Sequence, residues 1–327
     1  MSKKLNQLKF VVIGGGTGSY TVLKGLKNYF KNITAIVTMF DSGGSSGILR
    51  DEFGYLPPGD IRRALLALSN EDSNHIFREL LNYRFEKGNG LTGHNFGNLL
   101  LTALTDISGD EVEAVKHISN ILNVKGKVLP VSTTNSNLIA ELEDNTIISG
   151  ETNIDIPKHD KGFVKIRKLW LEPEAQAYEE SIQAIREADF IIIGPGDLYT
   201  SIIPNLITKG ISEALNNTNA KKIYICNVMS KFSETHKYYA SEYLREVIRY
   251  SNTDIDYMLV NNKKINNDSL LKKYADEQAL PVVIDEENLK HIDTKIIESD
   301  LINETHLIRH DSEKIAKTIL KLIIDVI

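Results

Sequence analysis

Gly14-Gly15-Gly16-Thr17-Gly18 is the first cluster in this sequence whose residue types suit a defined chemistry. Glycines let backbone N–H groups approach a pyrophosphate, and a helix N-terminus behind them adds partial positive charge. The spacing departs from G-x-G-x-x-G, because Ser19 holds the third glycine position, and it lacks the Walker A ending. A second cluster, Asp41-Ser42-Gly43-Gly44-Ser45-Ser46-Gly47, reads as a loop of glycines and small hydroxyls able to nest an anion. Asp41 in it can accept ribose hydroxyls, act as a base or hold a divalent cation. A third cluster, Gly194-Pro195-Gly196-Asp197, opens onto Leu198-Tyr199-Thr200-Ser201, where Thr200 or Ser201 can cap a helix and Asp197 can touch a ligand. Asn227-Val228-Met229 supplies a fourth strand end. In Thr92-Gly93-His94-Asn95-Phe96-Gly97-Asn98, His94 is a candidate general acid–base or phosphate donor. Asn95 and Asn98, three apart on one helical face, can read a base or sugar.

Each cluster also has a plainer reading. The glycines can serve a tight turn, the Asp41 segment can be a solvated loop, and a single histidine is commonly a cap or a satisfied core group. Tyr274 can stack on a base or lie on an amphipathic surface. Arg309 can fork onto a diphosphate or pair with Asp311. The single cysteine, Cys226, excludes thiolate zinc sites and internal disulfides; its apolar surroundings Ile223-Tyr224-Ile225 predict a buried, inert thiol. Gly43-Gly44-Ser45-Ser46-Gly47 is only superficially similar to the Gly-x-Ser-x-Gly nucleophile elbow.

These clusters need elements to position them. Leu8–Ile13 is an unbroken apolar run, followed by a helical pattern from about Thr17 to Phe30 and a second buried strand, Ile33–Phe40. That strand-glycine turn-helix-strand unit opens a doubly wound fold. Residues 59–123 predict an inserted helical layer: Asp60 is the candidate N-cap of its first helix, and further helices are expected over about 73–86, 95–106 and 110–122. A strand over 127–133 precedes a hairpin over about 137–150, turning at Glu143-Asp144-Asn145, and a strand over 164–171. Alternation then resumes: helix 174–187, strand 189–193, helix 200–215, strand 221–228, helix 237–250, strand 255–260, helix 268–277 and strand 281–284. A short strand over 305–309 and an amphipathic helix over 311–326 finish the chain. The expectation is one α/β domain, a Rossmann-like, doubly wound, mostly parallel sheet with an inserted helical layer and a β-hairpin. Several glycine-rich or polar loops at strand carboxyl ends favour a shared crevice over independent turns.

The 327 residues can bury a large core without staples. With 38 Lys+Arg against 44 Asp+Glu, net −6, the chain lacks the basic balance expected of a nucleic-acid binder. No apolar stretch approaches the ~20 residues of a membrane span, and the start lacks a signal h-region. With the lone cysteine, this points to a cytoplasmic protein. A homodimer is compatible with the sequence, which does not specify it.

Six blocks resemble the YvcK/CofD-like family, in order over nearly the whole chain: Gly14–Gly18, Asp41–Gly47, Leu56-Pro57-Pro58-Gly59-Asp60-Ile61-Arg62, Gly93-His94-Asn95-Phe96-Gly97-Asn98-Leu99-Leu100, Gly194–Ser201 and Cys226–Met229. The likeness is strongest to the bacterial YvcK branch of gluconeogenesis factors. It implies a Rossmann-like sheet, a role in cell shape and growth on gluconeogenic carbon, and binding of UDP-sugars such as UDP-N-acetylglucosamine. The CofD branch implies instead a transferase that moves a phospholactyl group from a nucleotide diphosphate donor to a deazaflavin precursor with Mg2+. An NAD(P)-binding oxidoreductase is a further alternative, with NAD as a mimic of the nucleotide ligand. Through the resemblance, Gly14–Gly18 and Gly194–Thr200 are nucleotide-binding blocks. Asp60, Arg62, Ser42, Gly43, Gly44, Ser45, Ser46, Gly196, Tyr199, Asn227 and Met229, which lie in the six blocks, are further candidate contacts, and Tyr274 and Arg309 join them on their chemistry alone. Ser42 stands where many relatives carry a second Asp, which weakens a two-carboxylate metal site at Asp41. The segment Ser230-Lys231-Phe232-Ser233-Glu234-Thr235 lacks the family's usual proline-glycine turn.

Overall fold

Strands whose residues are apolar on both faces dictate a sheet covered on both sides, and the computed structural model, which describes residues 5–70, 75–157 and 163–327, has one. Its strands are β1 (Lys9–Gly14), β2 (Asn32–Val37) and β3 (Lys127–Pro130), then β7 (Phe190–Ile193), β8 (Lys221–Ile225), β9 (Tyr257–Asn261) and β10 (Lys295–Ser299). They run in the order β10-β9-β8-β7-β1-β2-β3, and every neighbouring pair is parallel. The direction of winding reverses between β1 and β7. Open α/β sheets bind ligands at such a switch point, outside the strand carboxyl ends.

Between β3 and β7 lie β4 (Asn137–Leu142), β5 (Ile147–Ser149) and β6 (Ile166–Glu172), which form a separate antiparallel sheet in the order β5-β4-β6. The expected hairpin is there, with Ala140 opposite Ile148, and β6 extends it. A two-stranded ribbon pairs β11 (Ile302–Asn303) with β12 (Arg309–His310).

Phe10 of β1 stacks on Phe190 of β7 and meets Phe30 at the end of the first connection. This aromatic layer locks the switch-point strands at their amino ends. On one face, helix Gly16–Leu26 packs between helix Gly59–Leu68 and helix Ser312–Val326. Gly25 permits the last contact, since a Cβ there would overlap the Ser312 carbonyl. Four helices, Gly59–Leu68, His75–Asn82, Phe96–Ser108 and Glu111–Ile121, make the expected layer between β2 and β3. Residues 73 and 74 of the expected second helix lie outside the described residues. Among the described residues no helix is long and apolar enough to cross a membrane.

The differences from expectation have local causes. Gly44-Ser45-Ser46-Gly47 is no loop but the start of helix Gly44–Phe53, entered from an extended Gly43. Asp60 is not a cap; Pro58 holds the N-cap position and Asp60 lies inside the first turn. The expected helix over 200–215 is a wide π-type turn (Leu198–Ile202) and two short helices, Ile203–Leu206 and Ile211–Asn216, with Gly210 at positive φ before the second. The run at 281–284 makes one isolated bridge, Pro281 to Met229, because proline cannot donate to a ladder. The seventh sheet strand is β10, whose half-exposed edge carries a weaker apolar signal than a central strand.

Candidate functional site

Helix Gly16–Leu26 starts at the carboxyl end of β1, and Gly16 enters it at φ +64. Gly18 is where the helix meets the second glycine turn: a Cβ there would overlap the Pro195 carbonyl. This close approach does the work that sequence spacing gave to the third glycine, while Ser19 is buried in that place. Asp60 braces the loop from below. Its carboxylate accepts the Gly16 N–H, and a side chain at Gly15 would collide with it. Arg63 Nη1 donates to Asp60 Oδ1 at 2.8 Å; burial raises the Asp60 pKa against that guanidinium. The next two N–H groups, of Thr17 and Gly18, have no acceptor within the helix and face the crevice.

Two pockets meet there. The first is lined by Gly15, Gly16, Thr17, Gly18 and Thr21 of the β1 end, and by Pro195, Gly196, Asp197 and Ser201 of the β7 end. Asn227, Val228 and Met229 of the β8 end complete it with Tyr274, Ile308, Arg309 and His310. The second is lined on its acidic side by Asp41, Asp60, Glu151, Asp155 and Asp197, with Arg63, Thr152 and Thr200 nearby. The volumes are about 200 Å³ and about 360 Å³. The first alone falls below the ~300–1,000 Å³ usual for small-molecule sites. Gly16, Thr17, Asp197 and Ser201 belong to both, so the two are continuous.

In the first pocket, Asn227 Nδ2 donates to Gly196 O at 2.8 Å and ties the β8 end to the second glycine turn. The Tyr274 hydroxyl donates to Ile308 O at 3.3 Å, placing its ring beside Arg309. Arg309 does not pair with Asp311, whose carboxylate instead caps the last helix by accepting from Glu313 and Lys314 N–H. Arg309 is exposed and has no ion pair among the described residues. The His310 ring is held neutral: burial brings its pKa down to about 4.

The second pocket is anchored by Ser42. Its Oγ accepts from Thr152 N at 3.0 Å, fixing the short helix Glu151–Asp155 over Asp41. Asp41 Oδ1 accepts from Gly43 N at 2.8 Å. Burial, with Asp41 and Asp155 adjacent, pushes Glu151 up to about 8, so it is largely protonated at neutral pH. Behind Asp197, which lines both pockets, Lys231 Nζ bonds Asp155, reaches Asp197 Oδ2 at 2.9 Å and lies 3.5 Å from Glu234 Oε1. Burial works to lower the Lys231 pKa, but Glu234, Asp197 and Asp155 override it and hold the ammonium charged.

Several expected contacts are engaged elsewhere. Tyr199 N and Thr200 Oγ1 donate to buried Glu234 at 2.7 and 2.8 Å, and the Tyr199 hydroxyl bonds Tyr238 and Glu246 in the core. Arg62 is buried and spends its guanidinium on Asn98 Oδ1, Leu81 O and Asn82 Oδ1 at 3.0–3.1 Å. Asn95 caps helix Phe96–Ser108 by accepting from Asn98 N, and donates to Tyr83 O. Ser45 receives the Asn95 N–H and touches His94 Nδ1 at 3.3 Å, while Ser46 accepts from Asn98 Nδ2. Arg62, His94, Asn95 and Asn98 line neither pocket. Gly14 and Gly194 shape their turns without lining the pockets.

The profile of the family described as 2-phospho-L-lactate transferase CofD matches residues 10–302. The chain belongs to the CofD family. The "Gluconeogenesis factor" of Halalkalibacterium halodurans is 45% identical over 315 residues, 95% of each chain. That of Bacillus subtilis is 44% identical over 318 residues, 96% of this chain and 98% of the other. A crystal structure of a protein from Bacillus halodurans superposes with a TM-score of 0.91 at 43% identity, covering 96% of this chain and all of that one. Sequence reasoning missed Arg63, Glu151, Asp155, Lys231 and Glu234. Asp60 and Arg63, and Lys231 and Glu234, are three apart, which is indistinguishable from an ordinary surface ion-pair pattern, and the two acids Glu151 and Asp155, four apart, give no local signal of a site.

Proposed function

We propose that this protein binds a nucleoside diphosphate-sugar, with UDP-N-acetylglucosamine as the representative ligand, and acts as a regulator of the gluconeogenesis-factor kind in carbon metabolism and cell shape. One observation carries the reading: a single pocket at the switch point combines free helix-start N–H groups, two glycine turns, a ring at Tyr274 and an unpaired guanidinium at Arg309. Helix-start amides and a forked guanidinium both suit a diphosphate. A flat ring suits a base. Glycine at 15 and 18 lets the loop pack directly on Asp60 and on the Pro195 carbonyl, which sets the helix start at the pocket wall. The continuous acidic pocket gives room for the sugar, whose hydroxyls donate to carboxylates. The relatives named gluconeogenesis factor support the same reading. Isothermal titration with UDP-N-acetylglucosamine tests it: saturable heat supports it, and no heat at millimolar ligand with the fold verified by circular dichroism overturns it.

The acidic pocket also favours a second reading, transfer of the CofD kind, in which a hydroxyl of a deazaflavin acceptor attacks the phospholactyl phosphorus of the nucleotide diphosphate donor. The diphosphate P–O bond breaks, and the nucleoside monophosphate leaves with the pair of electrons. The transferase branch uses Mg2+, and Asp41 was its expected ligand. Three carboxylates come within 4.8 Å of one another among the described residues, Asp155, Asp197 and Glu234, and Asp41 is not one of them. Product formation from a phospholactyl nucleotide donor and a deazaflavin acceptor tests this reading.

A further inference from the structure

We propose that Lys231 is the resident cation of the acidic cluster, and that this makes ligand binding in the crevice independent of a divalent metal. The inference rests on the nucleotide-binding reading above but makes a separate claim about the cluster.

Asp155, Asp197 and Glu234 offer oxygens close enough together for one ion. A Mg2+ ion would need ~2.0–2.1 Å to each of them and further room for water. The ammonium of Lys231 lies among these same oxygens, bonded to Asp155, 2.9 Å from Asp197 Oδ2 and 3.5 Å from Glu234 Oε1. An ammonium carries three donors and one positive charge, so three carboxylates match its capacity. An ion placed among them would meet a like charge at van der Waals distance.

The remaining valences of Glu234 are also spent. Glu234 is fully buried, and it accepts from Tyr199 N and Thr200 Oγ1 at the start of the π-type turn. Lys231 is itself fixed, since its backbone N donates to Thr235 Oγ1 at 3.0 Å. The donor set therefore fits a lysine and not a metal. It also holds Asp197, which lines both pockets, in one orientation toward the ligand. The diphosphate charge is left to the helix-start amides and Arg309, which need no ion.

The test titrates Mn2+ into the ligand-free protein, read by the electron paramagnetic resonance of free Mn2+. It uses wild type, Lys231→Met and Lys231→Arg, with the fold of each verified by circular dichroism. Wild type and Lys231→Arg are expected to bind no Mn2+ at up to 0.2 mM on the order expected for an all-protein carboxylate site, while Lys231→Met gains one site. A stoichiometric Mn2+ site in wild type overturns the proposal, as does a folded Lys231→Met protein that binds none. If Lys231→Met fails to fold, the wild-type titration decides. A parallel calorimetric titration of wild type with UDP-N-acetylglucosamine, in EDTA and in Mg2+, is expected to give affinities within about twofold; a loss of tenfold or more in EDTA also overturns it. Absence of nucleotide binding in both buffers would instead count against the proposed function and leave the Mn2+ result to judge this inference.

Discussion

Two regions of the chain are equally rich in polar residues, and they differ in whether those residues have anything left to give. In the helical layer, Arg62, Ser45, Ser46, Asn95 and Asn98 form a buried network in which each group named is matched by another group of the protein. At the strand ends of β1, β7 and β8, the Thr17 and Gly18 amides and the Arg309 guanidinium remain open to a pocket. A polar cluster whose hydrogen bonds are satisfied internally specifies structure; one whose donors converge on a cavity binds. The two regions carried the same kind of motif in the sequence. Partner inventory separates them.

The sharpest way to break this contrast is Gly18→Ala. Its Cβ would overlap a backbone carbonyl that no side-chain rotation can move, so helix and turn must separate. A loss of about 3 kcal/mol or more in urea unfolding is expected, together with loss of ligand heat. Arg62→Leu is next and isolates the structural network. It strands Asn98, Asn82 and the Leu81 carbonyl and should cost about 3 kcal/mol, while affinity measured on the folded fraction stays within twofold. A tenfold affinity loss there would place Arg62 in binding after all.

Glu151 gives the comparison a pH dependence. Its folded pKa of about 8 lies above its unfolded value of 4.5, so between the two the folded state binds the extra proton. Stability from this group is fully present below about pH 4.5 and is lost as pH rises from there through 8, on the order of 5 kcal/mol. Melting temperatures of wild type and Glu151→Gln from pH 5 to 9 check it: the downward slope of wild type should flatten in the variant. An unchanged slope would reject the buried, protonated state. The smallest effect is expected for His94→Ala, whose side chain makes one hydrogen bond among the described residues, to Ser45 at 3.3 Å. Stability should change by less than about 1 kcal/mol, and ligand affinity should not move.

The central sheet was legible because its strands are unbroken apolar runs and its first crossover carries glycines, both of which are local signals. The edge strand β10 was not, since partial exposure dilutes the pattern. The first pocket was largely legible, as Gly15–Gly18, Gly196, Asn227, Met229, Tyr274 and Arg309 do converge. The acidic pocket was legible at Gly16, Thr17, Asp41, Gly43, Gly44, Asp60, Asp197 and Thr200. Glu151 and Asp155 after the hairpin join it, and Lys231 after β8 reaches Asp155 and Asp197, only through tertiary folding, and sequence spacing carries no record of that. The same limit explains Tyr199 and Arg62, whose types suggested ligand contact before their buried partners were known.

The proposed diphosphate site depends most on Arg309, unpaired beside Tyr274. Calorimetric titration of UDP-N-acetylglucosamine into wild type and Arg309→Ala tests it most directly, with melting temperatures measured on the same samples. Loss of one charge-assisted hydrogen-bond pair predicts about 10- to 100-fold weaker binding with the melting temperature within about 2 °C. Equal affinity in the two proteins would contradict the claim.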